Sequence, residues 1–219
     1  MVGTEPSHEH HGDPPNAQQH ADAKPTDVND DGECLEDAGT VITWNYQGAA
    51  SKNFLRAAKM LLKKHHPDIF CLMETKTSGD NADTVCCKLG FENWARVEAL
   101  GFSGGIWVFW SDALQVEILT SHPQFVHMAI TEPSGRRWNL SMVYGSPSGY
   151  LRRRLWNALS RNKIHVNYPW LIAGDFNAIV SNEECTSTSS PGAHRNSDFK
   201  DWIFDEALFD LGFSGQKFT

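Results

Sequence analysis

The 219-residue sequence has no apolar segment approaching the roughly 20 residues that a helix needs to cross a bilayer. The longest apolar runs are short pieces such as Ile69–Met73 and Ile106–Trp110. The first residues, MVGTEPSHEHH, have no apolar centre of the kind found in secretory signal peptides. We therefore predict a protein that neither spans a membrane nor is secreted.

Cysteine is scarce and badly spaced for a structural role. There are five cysteines, an odd number, and none lies in a Cys-x-x-Cys pair. This pattern fits neither a disulfide framework nor a zinc finger. A reducing intracellular compartment is expected, with the nucleus among the candidates, and no protein partner is indicated.

Aromatic residues are missing from the segment Met1–Gly39. That segment holds ten acidic residues and one lysine, a net charge of −9, whereas the other 180 residues have a net charge of +1 and hold all 24 aromatic residues. Such a segment cannot bury enough apolar surface to offset its chain entropy. We predict a disordered acidic tail at 1–39 and a folded domain at 40–219. Because the tail carries the negative charge, the domain remains compatible with a polyanionic partner. The tail histidines could bind a metal ion, but nothing fixes their geometry, which favours a linker.

The first part of the folded domain has the pattern of a β-α-β unit. Val41–Asn45 is β-branched and aromatic, which predicts a strand. Apolar residues at helical spacing follow Ser51, a suitable helix cap, and end before Pro67. Asp68–Met73 is then a short apolar strand.

The rest of the domain alternates short strands and helices. Strands are predicted at Phe91–Val97, Ile106–Trp110, Leu114–Leu119, Phe125–Thr131, Arg137–Tyr144 and Pro169–Gly174. Helices are predicted at about Ser148–Asn162 and Ser197–Phe209, with a loop at Ser181–Asn196 and a last turn at Phe213–Thr219. Antiparallel strands mixed with helices predict an α/β sandwich, in which two packed sheets are flanked by helices.

Polar side chains follow four of these strands at the points where the apolar runs end. They are Asn45, Glu74, Tyr144, and the pair Asp175 and Asn177. Because strand ends form the open rim of a layered sheet, these side chains could meet there.

The types of these side chains suit phosphodiester hydrolysis. Glu74 and Asn45 offer the hard oxygen ligands that Mg²⁺ or Mn²⁺ prefers. Asp175 and Asn177 share one face if the chain is extended, so that one can accept a proton from water while the other binds the water or a phosphate oxygen. Tyr144 offers a phenolic donor to an anionic oxygen.

Each residue also has an ordinary structural interpretation. Glu74 could be a solvated loop residue, Asn45 could satisfy a turn, and Tyr144 could be a core residue with its hydroxyl at the rim. Asp175 is harder to explain in this way, because an acid directly behind a buried strand needs a partner.

The four motifs taken in order resemble the endonuclease/exonuclease/phosphatase superfamily. They are Thr43-Trp44-Asn45, Leu72-Met73-Glu74-Thr75-Lys76, Val143-Tyr144-Gly145-Ser146-Pro147 and Gly174-Asp175-Phe176-Asn177. Ser103-Gly104-Gly105-Ile106 and Leu211-Gly212-Phe213-Ser214-Gly215 are similar to the endonuclease domain of plant-type LINE (non-LTR) retrotransposons. The resemblance implies a four-layered α/β sandwich with Asn45 and Glu74 as metal ligands, Tyr144 as a phosphate contact, and Asp175 and Asn177 as catalytic residues.

The resemblance also implies a piece that this sequence does not contain. The superfamily has further strands and a Ser-Asp-His motif that supplies an aspartate and the catalytic histidine, and no Asp-His pair occurs in these 219 residues. We therefore expect a domain truncated before its final strands, incomplete at the C-terminus.

Three functions remain in view. The first is a Mg²⁺- or Mn²⁺-dependent DNA endonuclease of retroelement origin, weak or inactive without the Asp-His pair. The second is a non-catalytic remnant that retains metal or nucleic-acid binding. The third is a phosphomonoesterase or lipid-phosphate hydrolase of the same superfamily.

Basic residues supply the remaining indication of a DNA substrate. Arg152 and Arg153 belong to a basic cluster assigned to the outer face of the second helix, and Arg136 lies in a predicted hairpin. They are candidate contacts to a phosphate backbone, although a solvated helix face explains the cluster equally well.

Overall fold

The computed structural model describes residues 39–99, 104–180, 193–212 and 214. The acidic tail up to residue 38, most of the loop predicted at Ser181–Asn196, and the last turn except for Ser214 lie outside the described residues. Within the described ranges, no helix is long and apolar enough to span a bilayer.

Strands and helices alternate along the described ranges. In chain order they are β1 (Val41–Asn45), α1 (Lys52–His65), β2 (Ile69–Met73), α2 (Gly79–Lys88), β3 (Asn93–Val97), β4 (Ile106–Trp110), β5 (Gln115–His122), β6 (Phe125–Thr131), β7 (Arg137–Tyr144), α3 (Gly149–Ala158), α4 (Arg161–Ile164), β8 (Trp170–Asp175) and α5 (Ala193–Asp205).

The strands form two mixed sheets of four. The first has the order β1-β2-β4-β3, with β1 and β2 parallel. The second has the order β5-β6-β7-β8, with β7 and β8 parallel. The predicted β-α-β unit is confirmed, because α1 joins the parallel pair β1 and β2.

Successive side chains along each strand point to opposite faces of the sheet, so that each sheet packs against the other sheet on one face and against helices on the other. The result is four layers. In β2, Phe70 and Leu72 pack with residues of α1 and α2, whereas Ile69, Cys71 and Met73 pack between the two sheets. The second sheet has the same two-sided character, with α3, α4 and α5 on its outer face. Because both faces are covered, β2 is a continuous apolar run. The predicted α/β sandwich of two sheets flanked by helices is confirmed.

The predicted cap of α1 is confirmed, since Ser51 Oγ accepts the N–H of Phe54 at 3.0 Å. The boundaries of the later helices differ from the sequence predictions. The helix predicted at Ser148–Asn162 is divided after Leu159, whose carbonyl accepts the indole N–H of Trp202 at 2.8 Å. The final helix also begins earlier than predicted, at Ala193.

Helix α2 was not predicted from the sequence. It buries only Ala82, Val85 and Cys86, and the N-terminal half contains Gly79, Asp80 and Asn81. These are poor helix formers, and three small buried side chains give a weak periodic pattern. Packing against the first sheet, rather than local helix propensity, therefore stabilises this helix.

A buried histidine lies in the second sheet. His127 is fully buried and its Nδ1 lies 2.8 Å from the Ser141 hydroxyl, which also accepts the indole N–H of Trp170. Nε2 has no hydrogen-bond partner in the described part of the chain. Burial lowers the pKa of His127 from 6.5 to about 4.

This histidine should make the domain less stable in mild acid. Because the folded-state pKa is lowered, the unfolded chain takes up the proton first as the pH falls below 6.5. Stability is complete above that pH and falls towards about pH 4, by up to about 3 kcal/mol from this one group. Urea unfolding across this range should show a loss that His127→Gln reduces and that the matched variant His165→Gln retains. Equal pH profiles for wild type and His127→Gln would contradict the assignment.

Candidate active site

The site is built where two parallel strand pairs end on the same rim. Asn45 ends β1 opposite Met73, the last residue of β2, and Glu74 follows directly. Tyr144 ends β7 opposite Asp175, the last residue of β8. Each sheet therefore contributes one pair of carboxyl-terminal strand ends.

Hydrogen bonds between side chains join the two sheets at this rim. Asn45 Nδ2 donates to Asp175 Oδ2 at 2.7 Å, and the Tyr144 hydroxyl donates to Glu74 Oε1 at 2.5 Å. The Asp175 N–H also contacts Met73 Sδ at 3.3 Å. Residues up to 130 positions apart in sequence are thus brought into one cluster.

Two glycines allow β7 and β8 to approach closely at their ends. A Cβ on Gly174, whose φ is +136°, would overlap the carbonyl oxygen of Val143. A Cβ on Gly145 would overlap the carbonyl oxygen of Phe176, and Gly145 N–H donates to Asp175 O at 2.7 Å. The glycine of the Gly-Asp-Phe-Asn motif is therefore needed for backbone contact, and this contact places Asp175 beside Tyr144.

Glu74 has one satisfied and one unsatisfied carboxylate oxygen. Its backbone lies in the left-handed region, with φ at +55°, and its side chain is mostly buried. Oε1 accepts from Tyr144, whereas Oε2 is buried without a hydrogen-bond partner. The Lys76 ammonium forms an ion pair with this oxygen, with Nζ 3.5 Å from Oε2. A buried carboxylate oxygen without a hydrogen bond costs free energy, which this ion pair offsets in part and which a bound cation would offset further.

The tyrosine hydroxyl is held in its protonated form. Tyr144 is buried, and burial raises its pKa well above the usual value of 10, with further increases from the hydrogen bond and charge of Glu74 and the charge of Asp175. Tyr144 is therefore a neutral donor throughout the physiological pH range.

Asp175 is oriented from two sides. Oδ2 accepts from the Asn45 amide, and Oδ1 accepts the backbone N–H of Asn177 at 2.9 Å. Each oxygen retains acceptor capacity, so the carboxylate can still bind a water molecule.

Asn177 does not lie in extended chain, as the sequence analysis assumed. Its φ is +47°, and its side-chain amide donates to the Gly145 carbonyl at 2.8 Å. The shared-face argument for Asp175 and Asn177 is therefore wrong, because β8 ends at Asp175 and the chain turns. The turn still keeps the two residues together through the Asn177 N–H.

The donor chemistry of the rim fits Mg²⁺ or Mn²⁺. In the ranges that the structure describes, no three His, Cys, Asp or Glu side chains are grouped as a metal site. The candidate ligands are instead the buried, unsatisfied Glu74 Oε2 and the Asn45 amide oxygen. Mg²⁺ is commonly bound by one or two carboxylates and completed by water and substrate phosphates, so a small set of hard oxygens is suitable.

Of the three arginines, only Arg152 departs from its predicted placement. Arg152 is buried, and its guanidinium donates to the carbonyls of Ser146 and Pro147, so the surface assignment is wrong for this residue. Arg153 is exposed, 3.6 Å from Asp198. Arg136 pairs with Glu132 in the β6–β7 hairpin, at the end of β7 remote from Tyr144. Contact with nucleic acid stays a prediction for all three.

Sequence reasoning missed a supporting residue, Gln124. Its side chain is buried, accepts the N–H of Ser146 at 2.7 Å and donates to the Leu151 carbonyl at 3.0 Å. The backbone carbonyl of Gln124 accepts the N–H of Tyr144. Gln124 therefore fixes the segment that carries Tyr144. A glutamine between two strand-forming segments gives no sequence signal for such a role.

Comparison with solved structures shows the same fold at low sequence identity. The AP endonuclease LMAP from Leishmania major is 16% identical, with a TM-score of 0.57, over 75% of this chain and 65% of that one. A 3′ phosphatase from Neisseria, NExo, bound to a product DNA hairpin is 18% identical, with a TM-score of 0.54, over 78% and 70%. The endonuclease domain of TRAS1, a telomere-specific non-LTR retrotransposon, is 17% identical, with a TM-score of 0.49, over 80% and 75%.

This chain therefore spans about two thirds of the length of the first of these structures. No curated protein sequence matches it. A sequence profile does: the profile of the Endonuclease/Exonuclease/phosphatase family matches residues 42–216, which include every residue of the rim. The chain belongs to the endonuclease/exonuclease/phosphatase family.

Proposed function

We propose that this protein binds DNA and a divalent cation at the rim, as a phosphodiester hydrolase of the DNA endonuclease type with weak or no turnover. The observation that carries the proposal is the pairing of Glu74 with Tyr144 and of Asn45 with Asp175 across the two sheets, with Glu74 Oε2 left unsatisfied. This arrangement combines a cation ligand, a protonated donor and a carboxylate base, which are the groups that phosphodiester hydrolysis needs. Solved structures of similar fold include an AP endonuclease and a 3′ phosphatase bound to a product DNA hairpin, which favours a nucleic-acid substrate.

The chain's own residues would divide the chemistry as follows. Tyr144 transfers its hydrogen bond from Glu74 to a phosphoryl oxygen that binds beside it. Asp175, oriented by the Asn45 amide and the Asn177 N–H, accepts the proton of the attacking water. Glu74 Oε2 and the Asn45 amide oxygen would hold a divalent cation, Mg²⁺ or Mn²⁺, whose positive charge would stabilise the charge that develops on the phosphate.

The low turnover in this proposal concerns these 219 residues taken alone, which contain no Asp-His dipeptide. Loss of a general acid or base typically costs about 10²- to 10⁴-fold in rate. A second candidate is a non-catalytic form that retains metal or nucleic-acid binding, and the same lack within these residues favours it.

The retroelement origin and the compartment also belong to this proposal. The motifs around Gly104 and Gly212, together with the four rim motifs, resemble those of plant-type LINE endonuclease domains. We place the protein inside the cell, consistent with its free cysteines Cys71, Cys86 and Cys87.

Replacing the cation ligand Glu74 should slow DNA nicking. With Mg²⁺ present, wild-type protein should convert supercoiled plasmid slowly to the open circle, and Glu74→Gln should lower the rate by at least about tenfold, because the substitution removes the charge that holds the cation. Glu117→Gln, at an exposed position on β5, is the matched control and should nick at the wild-type rate. If wild type and Glu74→Gln nick equally, catalysis at this rim is refuted.

Cation binding can be measured without turnover. Mg²⁺ at about ten times its Kd should stabilise the wild type by about 1.4 kcal/mol, raising Tm by about 3–6 °C relative to EDTA. Glu74→Gln should show a smaller increase, whereas Glu117→Gln should show the full one. A wild-type Tm that Mg²⁺ leaves unchanged, or the same increase in all three proteins, would rule out the proposed cation site.

A further inference from the structure

A cleft of about 270 Å³ adjoins the rim on the side of Tyr144. One end is formed by Tyr144 with Gly104 and Gly105, and the other by the turn after β5 and by one face of α3. Because Tyr144 belongs both to the rim and to the cleft, a ligand that extends from the rim in this direction enters the cleft.

The cleft contains an arginine that lacks a partner among the described residues. Arg154, on α3, is exposed and has no ion pair or hydrogen bond among the residues that the structure describes. The cleft also contains Glu98, whose carboxylate pairs with Arg96 at 2.9 Å, and the same guanidinium pairs with Asp83 at 3.0 Å. Arg154 is therefore available to an incoming anion.

A histidine beside Arg154 offers a second donor. His122 Nδ1 accepts the N–H of Gln124 at 3.2 Å, so the proton of the neutral ring is on Nε2. Nε2 has no partner within the described residues. Burial, and secondly the charge of Arg154, lowers the pKa of His122. The ring also stacks on Phe125, with centroids 4.8 Å apart, which fixes its plane.

Hydrogen bonds of Gln124 connect the cleft to the rim. The Gln124 side chain accepts the N–H of Ser146 and donates to the carbonyl of Leu151 on α3, and the Gln124 backbone carbonyl accepts the N–H of Tyr144. The distance between His122 and Tyr144 is therefore set by partly buried hydrogen bonds. Pro123, Pro147 and Leu151 add apolar surface to the lining, against which the carbon atoms of a sugar ring can pack.

We infer that this cleft binds a sugar-phosphate unit of a nucleic-acid strand, next to the phosphate held at Tyr144, with Arg154 and His122 Nε2 donating to the backbone phosphate of that unit. This inference rests on the proposed function, because it takes the strand at Tyr144 as its starting point. Charged donors to one phosphate position a strand without reading its sequence, so the cleft contributes affinity and register but no base specificity.

The test measures binding of a labelled single-stranded oligonucleotide by fluorescence anisotropy, in EDTA so that no cleavage occurs. Arg154→Gln should weaken binding by about tenfold and reduce the slope of log K against log salt by about 0.7. His122→Gln should weaken binding by a smaller factor. Arg56→Gln, an exposed position on α1, removes the same charge far from the cleft and should bind like wild type.

An NMR measurement distinguishes direct contact of a phosphate with His122 from a general effect of the protein's charge on binding. In the full chain, NMR titration should show the pKa of His122 rising when oligonucleotide is added, because a phosphate beside the ring favours its charged form over the opposing effects of burial and Arg154. The charged or titratable groups around it are Arg154 from α3, Glu98 after β3, and Tyr144 from β7. An unchanged His122 pKa, or equal weakening in Arg154→Gln and Arg56→Gln, would overturn the inference.

The two proposals can fail separately. If wild type nicks plasmid but Arg154→Gln binds oligonucleotide as tightly as wild type, the cleft assignment fails and the hydrolase stands. If nicking and the Mg²⁺ effect on Tm are both absent while Arg154→Gln loses affinity, the proposed hydrolase fails and the cleft stands.

Discussion

The site depends on one constraint, the meeting of two parallel strand pairs from different sheets at a common edge. β1 with β2 and β7 with β8 each align their last residues, and the hydrogen bonds from Asn45 to Asp175 and from Tyr144 to Glu74 cross between the sheets. Neither sheet alone holds a complete set of groups. The inter-sheet core, which includes Met73 and Tyr144, therefore supports both the fold and the chemistry.

The sequence was most informative where burial and polarity change abruptly. Glu74 and Asp175 could be located because each follows an apolar run, and an acid directly behind a strand predicted to be buried requires a partner, which singled out Asp175. β8 is in fact only partly buried along its length. The two packed sheets with helices outside were predicted from the mixture of antiparallel strands and helices. What could not be predicted was which partner each carboxylate has, because Tyr144 lies 70 residues from Glu74 and only the packed fold joins them.

Errors in the sequence analysis have identifiable physical causes. Arg152 has the spacing of a surface residue, yet carbonyls left without partners at the turn after β7 bind its guanidinium and bury it. Asn177 follows a strand, but its positive φ turns the chain away from strand geometry. In both cases a side-chain hydrogen bond to the Gly145–Pro147 segment decides the outcome, from 32 positions away for Asn177 and from 6 positions away for Arg152. Local periodicity carries no information about such contacts.

Binding and turnover have different structural requirements in this domain. The groups that would hold a cation and a phosphate, from Glu74 and Asn45 to Tyr144, are fixed by strand pairing and by partly buried hydrogen bonds, with Gln124 as a central support. Proton transfer additionally depends on Asp175, which the Asn45 amide and the Asn177 N–H orient. Affinity for a polyanion can therefore persist where hydrolysis does not. The cleft at Arg154 and His122 lies on the same rigid frame, so it would contribute to that affinity whether or not the rim is catalytic.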